Sequence, residues 1–148
     1  MGRTLDVNLK GVFLRCKAVV PHMQKRKYGK IINVGSPSAL AATPVIAGYC
    51  AVKSGGVMLS NCLAADVAKD NIWVNSLLHG ITKTDLHAAV MPANLTKEEY
   101  FFRLDGIIPL GRVAAPEDIA DIAVFPVSDL SRYVTGDRIV VSGGLLNK

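Results

Sequence analysis

Apolar side chains recur at Leu5, Leu9, Val12, Phe13, Cys16, Val19, Val20 and Met23. Steps of three and four residues predict a helix over 5–24. Tyr28-Gly29-Lys30 breaks that pattern, and the β-branched run Ile31-Ile32-Asn33-Val34 predicts a short strand buried on both faces. Gly35-Ser36-Pro37-Ser38 ends it in a loop. A second long helical pattern, rich in Ala, Val and Leu, covers 47–69 and closes at Asp70-Asn71. Residues 72–78 predict another strand, turned at His79-Gly80. The pattern is mixed over 83–111, with short helices expected around His87 and over 97–104; such a stretch after a parallel strand is a candidate substrate lid. Pro116-Glu117-Asp118 suits the first turn of a helix, expected to run toward Val124 and to end or kink at Pro126. Arg138-Ile139-Val140-Val141-Ser142 predicts a third strand, stopped by Gly143-Gly144.

Helix, strand, helix, strand, lid, helix, strand is the order of an α/β fold with right-handed crossovers and a parallel sheet covered on both faces. Ligands of such sheets bind beyond the carboxyl ends of the strands. That singles out the loops 36–47 and 79–84.

Composition narrows the classes. The chain has 148 residues, half of them apolar, enough for one domain. No apolar run is long enough to span a bilayer, and the amino terminus has no signal-peptide pattern, so a cytoplasmic protein that does not engage membranes is expected. Cys16, Cys50 and Cys62 are odd in number, widely spaced and without metal-ligand spacing to a histidine; they are expected to be reduced, half-buried apolar residues, with no metal site. The net charge of +5 concentrates at Lys25-Arg26-Lys27 and Lys30, where a helix ends and cations complement its dipole. Aromatic residues do not interleave with these cations, so nucleic-acid binding is not expected.

Candidate chemistry centres on Tyr49 and Lys53, four residues apart at the start of the second helix and hence on one face. Ser36 lies 13 residues before Tyr49, just past the first strand, and Asn8 lies in the first helix. A phenol in water ionises near pH ~10, and a neighbouring ammonium favours its phenolate. Such a phenol can pass a proton to or from the oxygen of a carbonyl or alcohol, held in place by a hydroxyl such as that of Ser36.

This set resembles the catalytic Asn, Ser and Tyr-x-x-x-Lys of the short-chain dehydrogenase/reductase family. The resemblance extends through Val7-Asn8-Leu9-Lys10-Gly11-Val12-Phe13, Gly29-Lys30-Ile31-Ile32-Asn33-Val34, Ile72-Trp73-Val74-Asn75, Pro109-Leu110-Gly111-Arg112, Pro116-Glu117-Asp118-Ile119-Ala120 and Tyr133-Val134-Thr135-Gly136. It implies a partial Rossmann-like, doubly wound parallel sheet, the last three strands with their flanking helices, as one partial domain over 1–148. It implies an NAD(P)-dependent oxidoreductase interconverting a secondary alcohol and a ketone. Tyr49 would be its acid/base, Lys53 its electrostatic partner, Ser36 the carbonyl anchor and Asn8 the support of a water relay. Tyr49, Lys53, His79, Gly80, Thr82 and Thr84 would bind the cofactor, NAD or NADP, and helices 5–24 and 47–69 would pair with those of another copy in a homo-oligomer.

The sequence also departs from the family. It has no Gly-x-x-x-Gly-x-Gly turn for a pyrophosphate, and by resemblance it starts at the fourth crossover helix. The strand at 31–34 is therefore expected to have one open edge, the isolated chain is expected to bind NAD(P) weakly or not at all, and a truncated, non-catalytic dimerisation module is the alternative reading. His79-Gly80 stands where the family has Pro-Gly, making His79 either an extra proton carrier or a turn substitution. Thr82 replaces the usual Val or Ile, and Gly35 the usual Ser. Gly55-Gly56 inside a helix implies close packing. Met91, Tyr100, Phe101 and Phe102 are candidates for an apolar substrate pocket or for core. A 3-oxoacyl thioester, a sugar, a steroid and a small alcohol all remain open as substrates.

Overall fold

The computed structural model describes residues 2–147; Met1 and Lys148, the ends of the domain expected over 1–148, lie outside the described residues. The first helix is continuous from Gly2 to Arg26 but not uniform. It comprises α1 (Gly2–Leu5), a π-helical segment Asp6–Lys10, and α2 (Gly11–Arg26). Lys27 closes it with a left-handed φ of 53° and forms an ion pair with Asp70, whose other oxygen accepts from Gln24 at 2.8 Å. Those bonds hold the Asp70 carboxyl below its usual pKa. Part of the basic cluster is thus a helix cap tied to the end of the next helix.

The strands β1 (Gly29–Gly35), β2 (Ile72–His79) and β3 (Arg138–Val141) form a parallel sheet in the order β1-β2-β3. Gly29 pairs with Ile72 and Gly35 with Leu78, while Ser76 pairs with Arg138 and His79 with Val141. Helix α3 (Ala47–Val67) makes the first crossover. The second runs through α4 (Asp85–Ala88), α5 (Lys97–Asp105) and α6 (Pro116–Val127). Among the described residues β1 is paired on one side only, as the sequence implies for a strand at an open edge, and Val34 near its end is 56% exposed.

One buried cluster, Ala64, Val67, Ile72 and Val74, packs with Val20, Met23, Ile31 and Leu63 and joins α2 and α3 to the sheet. A second, Phe101, Ile108 and Val113, packs α5 and the segment after it against Ile81, Leu104 and Leu145. Asn75, buried in β2, ties that strand to the segment leading into β3: its amide donates to the Val134 carbonyl at 2.9 Å and accepts from Asp137 N–H at 3.0 Å.

The structure decides three expectations. Helix α6 ends close to Pro126, as expected, at Val127, with Pro126 buried in the last turn and Ser128 N–H closing that turn on the Phe125 carbonyl at 3.1 Å. The cysteines differ in burial: Cys16 is buried and Cys50 half-buried, but Cys62 is exposed on the outer face of α3. Phe101 and Phe102, adjacent on α5, point to opposite environments, core and solvent, because consecutive helical residues lie about 100° apart.

Candidate active site

Four elements converge on the amino-terminal end of α3. The loop after β1 begins with Ser36, which caps a 3-10 turn over Pro37–Ala39 by accepting the Ser38 N–H at 3.2 Å. Ser36 is buried. The loop then runs exposed to Val45, a β-branched residue held at a φ of 71°, where sterics disfavour it. Tyr49, in the first turn of α3, is half-buried. One turn on, Lys53 turns back toward the sheet, its Nζ donating to the Val34 carbonyl at 3.3 Å and standing 5.6 Å from the Tyr49 ring centroid. Burial of the ammonium lowers the Lys53 pKa.

Asn8 shares a small cavity with Lys53 but not with Tyr49. It lies in the π-helical segment, where the Gly11 N–H bonds to the Asp6 carbonyl five residues back, widening the turn. Its side-chain amide donates to the Thr4 carbonyl at 3.2 Å. The glycine pair of α3 admits this widened turn: a Cβ on Gly55 would stand 3.3 Å from Leu9 Cδ2, and one on Gly56 3.8 Å from the Asn8 carbonyl oxygen. Asn8 and Lys53 line one small cavity together with Asn33, Gly35, Gly56 and Ser76.

At the carboxyl end of β2, His79 Nδ1 lies 3.0 Å from the Gly80 carbonyl, which accepts only, so Nδ1 is the donor of that pair. The Thr82 hydroxyl donates to the same carbonyl at 3.1 Å and lies 3.3 Å from His79 Nδ1. Gly80 is sterically required: a Cβ there would come 2.9 Å from Ser142 Cα. Thr84 is engaged elsewhere, its hydroxyl accepting the His87 N–H at 3.3 Å as the cap of α4. The structure thus joins Tyr49 with Lys53, Lys53 with Asn8, and His79, Gly80 and Thr82 with one another. Among the described residues no hydrogen bond joins Ser36 or Thr84 to Tyr49. Ser76 is a lining residue that the sequence did not single out; the available signal was a polar pair, Asn75-Ser76, in the middle of a buried strand.

A cavity of about 1000 Å³ lies beside α5, lined by Lys83, Thr84, Asp85, Phe101, Phe102 and Pro116 among others, and touches neither Tyr49 nor Lys53. Phe102 is 78% exposed on it. Two contacts join α4 to α5, with Tyr100 Oη 3.1 Å from His87 Nδ1 and Lys97 Nζ 3.1 Å from Asp85.

For a nicotinamide cofactor the fit is partial. The half-buried ammonium, the buried Ser36 and the flush Gly80–Ser142 approach suit a ring and ribose at the carboxyl ends of β1 and β2. The adenosine and pyrophosphate have no glycine-rich turn at a helix start among the described residues. Among those residues, no helix is long and apolar enough to cross a membrane.

Residues 1–146 match the family model described as enoyl-(acyl carrier protein) reductase. The chain is 40% identical over 141 residues to a 3-oxoacyl-[acyl-carrier-protein] reductase of Chlamydia pneumoniae, covering 95% of this chain and 54% of the relative. It is 37% identical over 145 residues to a Xanthobacter autotrophicus protein named inactive 2-(S)-hydroxypropyl-CoM dehydrogenase 2, covering 97% of this chain and 63% of that one. The fold matches a gluconate 5-dehydrogenase from Burkholderia cenocepacia, solved with NADP and tartrate, with a TM-score of 0.86 and 36% identity over 96% of this chain and 54% of that one. The chain spans little more than half the length of the relatives it matches.

Proposed function

The chain belongs to the short-chain dehydrogenase/reductase family, and from that premise we propose that it carries the acid/base half of an NAD(P)-dependent oxidoreductase interconverting a secondary alcohol and a ketone. The observation that carries this reading is the placement of Lys53 between the Val34 carbonyl and the Tyr49 ring. Its relatives are oxidoreductases by name.

Tyr49 donates its proton to the carbonyl oxygen of the substrate in reduction and takes one from the hydroxyl in oxidation. Lys53 stabilises the phenolate left behind. Its burial loosens its own hold on a proton, which suits a group that relays one. The Ser38 N–H occupies a lone pair of Ser36 Oγ and leaves the hydroxyl hydrogen free to hold the substrate oxygen. Asn8 supports a water beside Lys53. Tyr49 and Lys53 would hold the ribose of the cofactor, and His79, Gly80, Thr82 and Thr84 would line its nicotinamide side. The nicotinamide, when bound, supplies or accepts the hydride. The chain by itself would hold NAD or NADP weakly or not at all.

A second reading has its own observation. An apolar groove of about 350 Å³ runs between α2 and α3, lined by Phe13, Cys16, Val20, Pro21, Leu59 and Leu63. Phe13 and Val19 on α2 and Met58 on α3 are exposed apolar side chains. This face suits a second copy of the chain, packed helix on helix, and a chain that dimerised without turnover would be a non-catalytic interaction module.

Joining the chain behind the amino-terminal half of the Chlamydia pneumoniae relative tests the first reading. Such a chimera should bind NADPH or NADH and reduce a ketone, with Tyr49→Phe lowering the rate by about 10²–10⁴-fold and leaving nucleotide binding in place. A folded, nucleotide-binding chimera whose turnover is indifferent to Tyr49→Phe would overturn the assignment.

A further inference from the structure

Ser76 lies in β2, paired with Asn33 of β1, and is 1% exposed. Its hydroxyl is the one buried side-chain polar atom without a hydrogen-bond partner among the described residues. Native proteins rarely leave such a group unpaired. Ser76 lines the cavity between β1, α3 and the π-helical segment, whose volume of about 10 Å³ admits a single water.

The other polar groups around that cavity decide what fills it. The Asn33 side chain is already committed, its amide donating to Ser60 Oγ at 2.9 Å and its oxygen lying 3.8 Å from Cys16 Sγ. Lys53 uses one of its three N–H groups on the Val34 carbonyl, leaving two. The Asn8 carbonyl oxygen faces Gly56, which lines the same cavity. A donor, an acceptor and an unpaired hydroxyl therefore surround room for one water, which needs two to four polar partners.

We infer that Ser76 anchors a single buried water that bridges its hydroxyl to Lys53 Nζ, and that Ser76 is thereby a positioning residue for the ammonium facing Tyr49. The water accepts from Lys53 and from Ser76 and donates to the Asn8 carbonyl. Every group in the cavity is then satisfied, and the flexible lysine is held from a second direction besides Val34. Ser76 touches neither substrate nor cofactor; it acts through Lys53. Its catalytic consequence rests on the reading of Lys53 as the partner of Tyr49, whereas the water and its effect on Lys53 do not.

The test uses the purified chain without nucleotide, so it can fail or succeed independently of any dehydrogenase activity. Water–protein NMR cross-relaxation should show a long-lived water at the Ser76 amide and β-protons. With ¹³Cε-labelled lysine, and Lys53→Arg to assign the signal, the Lys53 titration midpoint is compared in the wild type, Ser76→Ala and Ser76→Val. Loss of the bridging water removes a partner of the charged form, so the midpoint should fall by about half a pH unit or more in Ser76→Ala. Ser76→Val, which fills the cavity, should also abolish the water signal. A purely structural Ser76 would change stability and leave the Lys53 midpoint unmoved. Absence of the water in the wild type, or an unchanged midpoint in Ser76→Ala, overturns the inference.

Discussion

Lys53 and Tyr49, one helical turn apart on α3, face each other with the ammonium 5.6 Å from the ring centroid, while the Val34 carbonyl holds the same ammonium at 3.3 Å. The second contact makes the first persistent, since a lysine on an exposed helix face would sample many rotamers. Lys53→Met should therefore lower kcat of the chimera by about 10²-fold or more, with loss of the phenolate's partner, and raise the KM for nucleotide. Lys53→Arg keeps the charge but not the compact ammonium and should recover only part of the activity. Steady-state kinetics at saturating ketone separates the two effects.

The contact of Gly55 with Leu9 predicts a graded response. An added Cβ meets Leu9 Cδ2 at 3.3 Å, the movable end of a flexible side chain. Gly55→Ala should change stability by less than about 1 kcal/mol, the helical gain of alanine offsetting the tight contact. Gly55→Val should cost about 1–3 kcal/mol by overpacking. Urea unfolding midpoints at constant m-value read both changes.

Gly80 should tolerate no side chain. The neighbour of its missing Cβ is backbone, Ser142 Cα at 2.9 Å, which moves only if β2 and β3 separate. Gly80→Ala should destabilise the chain by about 1–3 kcal/mol and weaken nucleotide binding by the chimera. A thermal melt and a nucleotide titration of the same variant check both effects.

Asp118 sets an acid limit. It receives two bonds from Arg112, at 2.6 and 2.8 Å, and the Ala115 N–H at 2.7 Å, with the arginine the larger cause of a pKa lowered to about 2. A carboxylate whose folded pKa lies below its unfolded value of 3.8 contributes stability that is present above 3.8. That contribution fades as the pH falls from there toward about 2. The wild type should lose stability across that window, and Asp118→Asn should show a flatter pH dependence there and lower stability at pH 7. Urea midpoints from pH 2 to 7 measure the difference.

Much of this architecture was legible in the residues. The β-branched run at 31–34 and the apolar run at 72–78 became β1 and β2, each extended slightly by its parallel partner. The spacing of Tyr49 and Lys53 placed them on one face, which the structure bears out. What escaped depended on tertiary relationships. The π-helical turn at Asn8 keeps an ordinary apolar spacing and is apparent only from the five-residue bond between Gly11 and Asp6. The unpaired hydroxyl of Ser76 depends on how β2 packs beside β1, α3 and the π-helical segment, which no single strand reveals. Pro126 marked the end of α6 to within one residue, although its burial was not legible in the sequence. On α5, Tyr100, Phe101 and Phe102 are equivalent by composition, and only tertiary packing shows that Phe101 belongs to the core with Ile108 and Val113 while also lining the cavity beside Phe102.

The central claim is that the acid/base residues stand in this chain without a bed for the adenosine end of the cofactor. Equilibrium titration of the purified chain with NADH and NADPH, followed by nucleotide fluorescence on a species shown to be monodisperse by sedimentation, tests it most directly. The account predicts no saturation below about 1 mM for either nucleotide, an affinity weaker than about −4 kcal/mol. Saturable binding in the micromolar range would contradict it and show that residues 1–148 suffice to hold the cofactor.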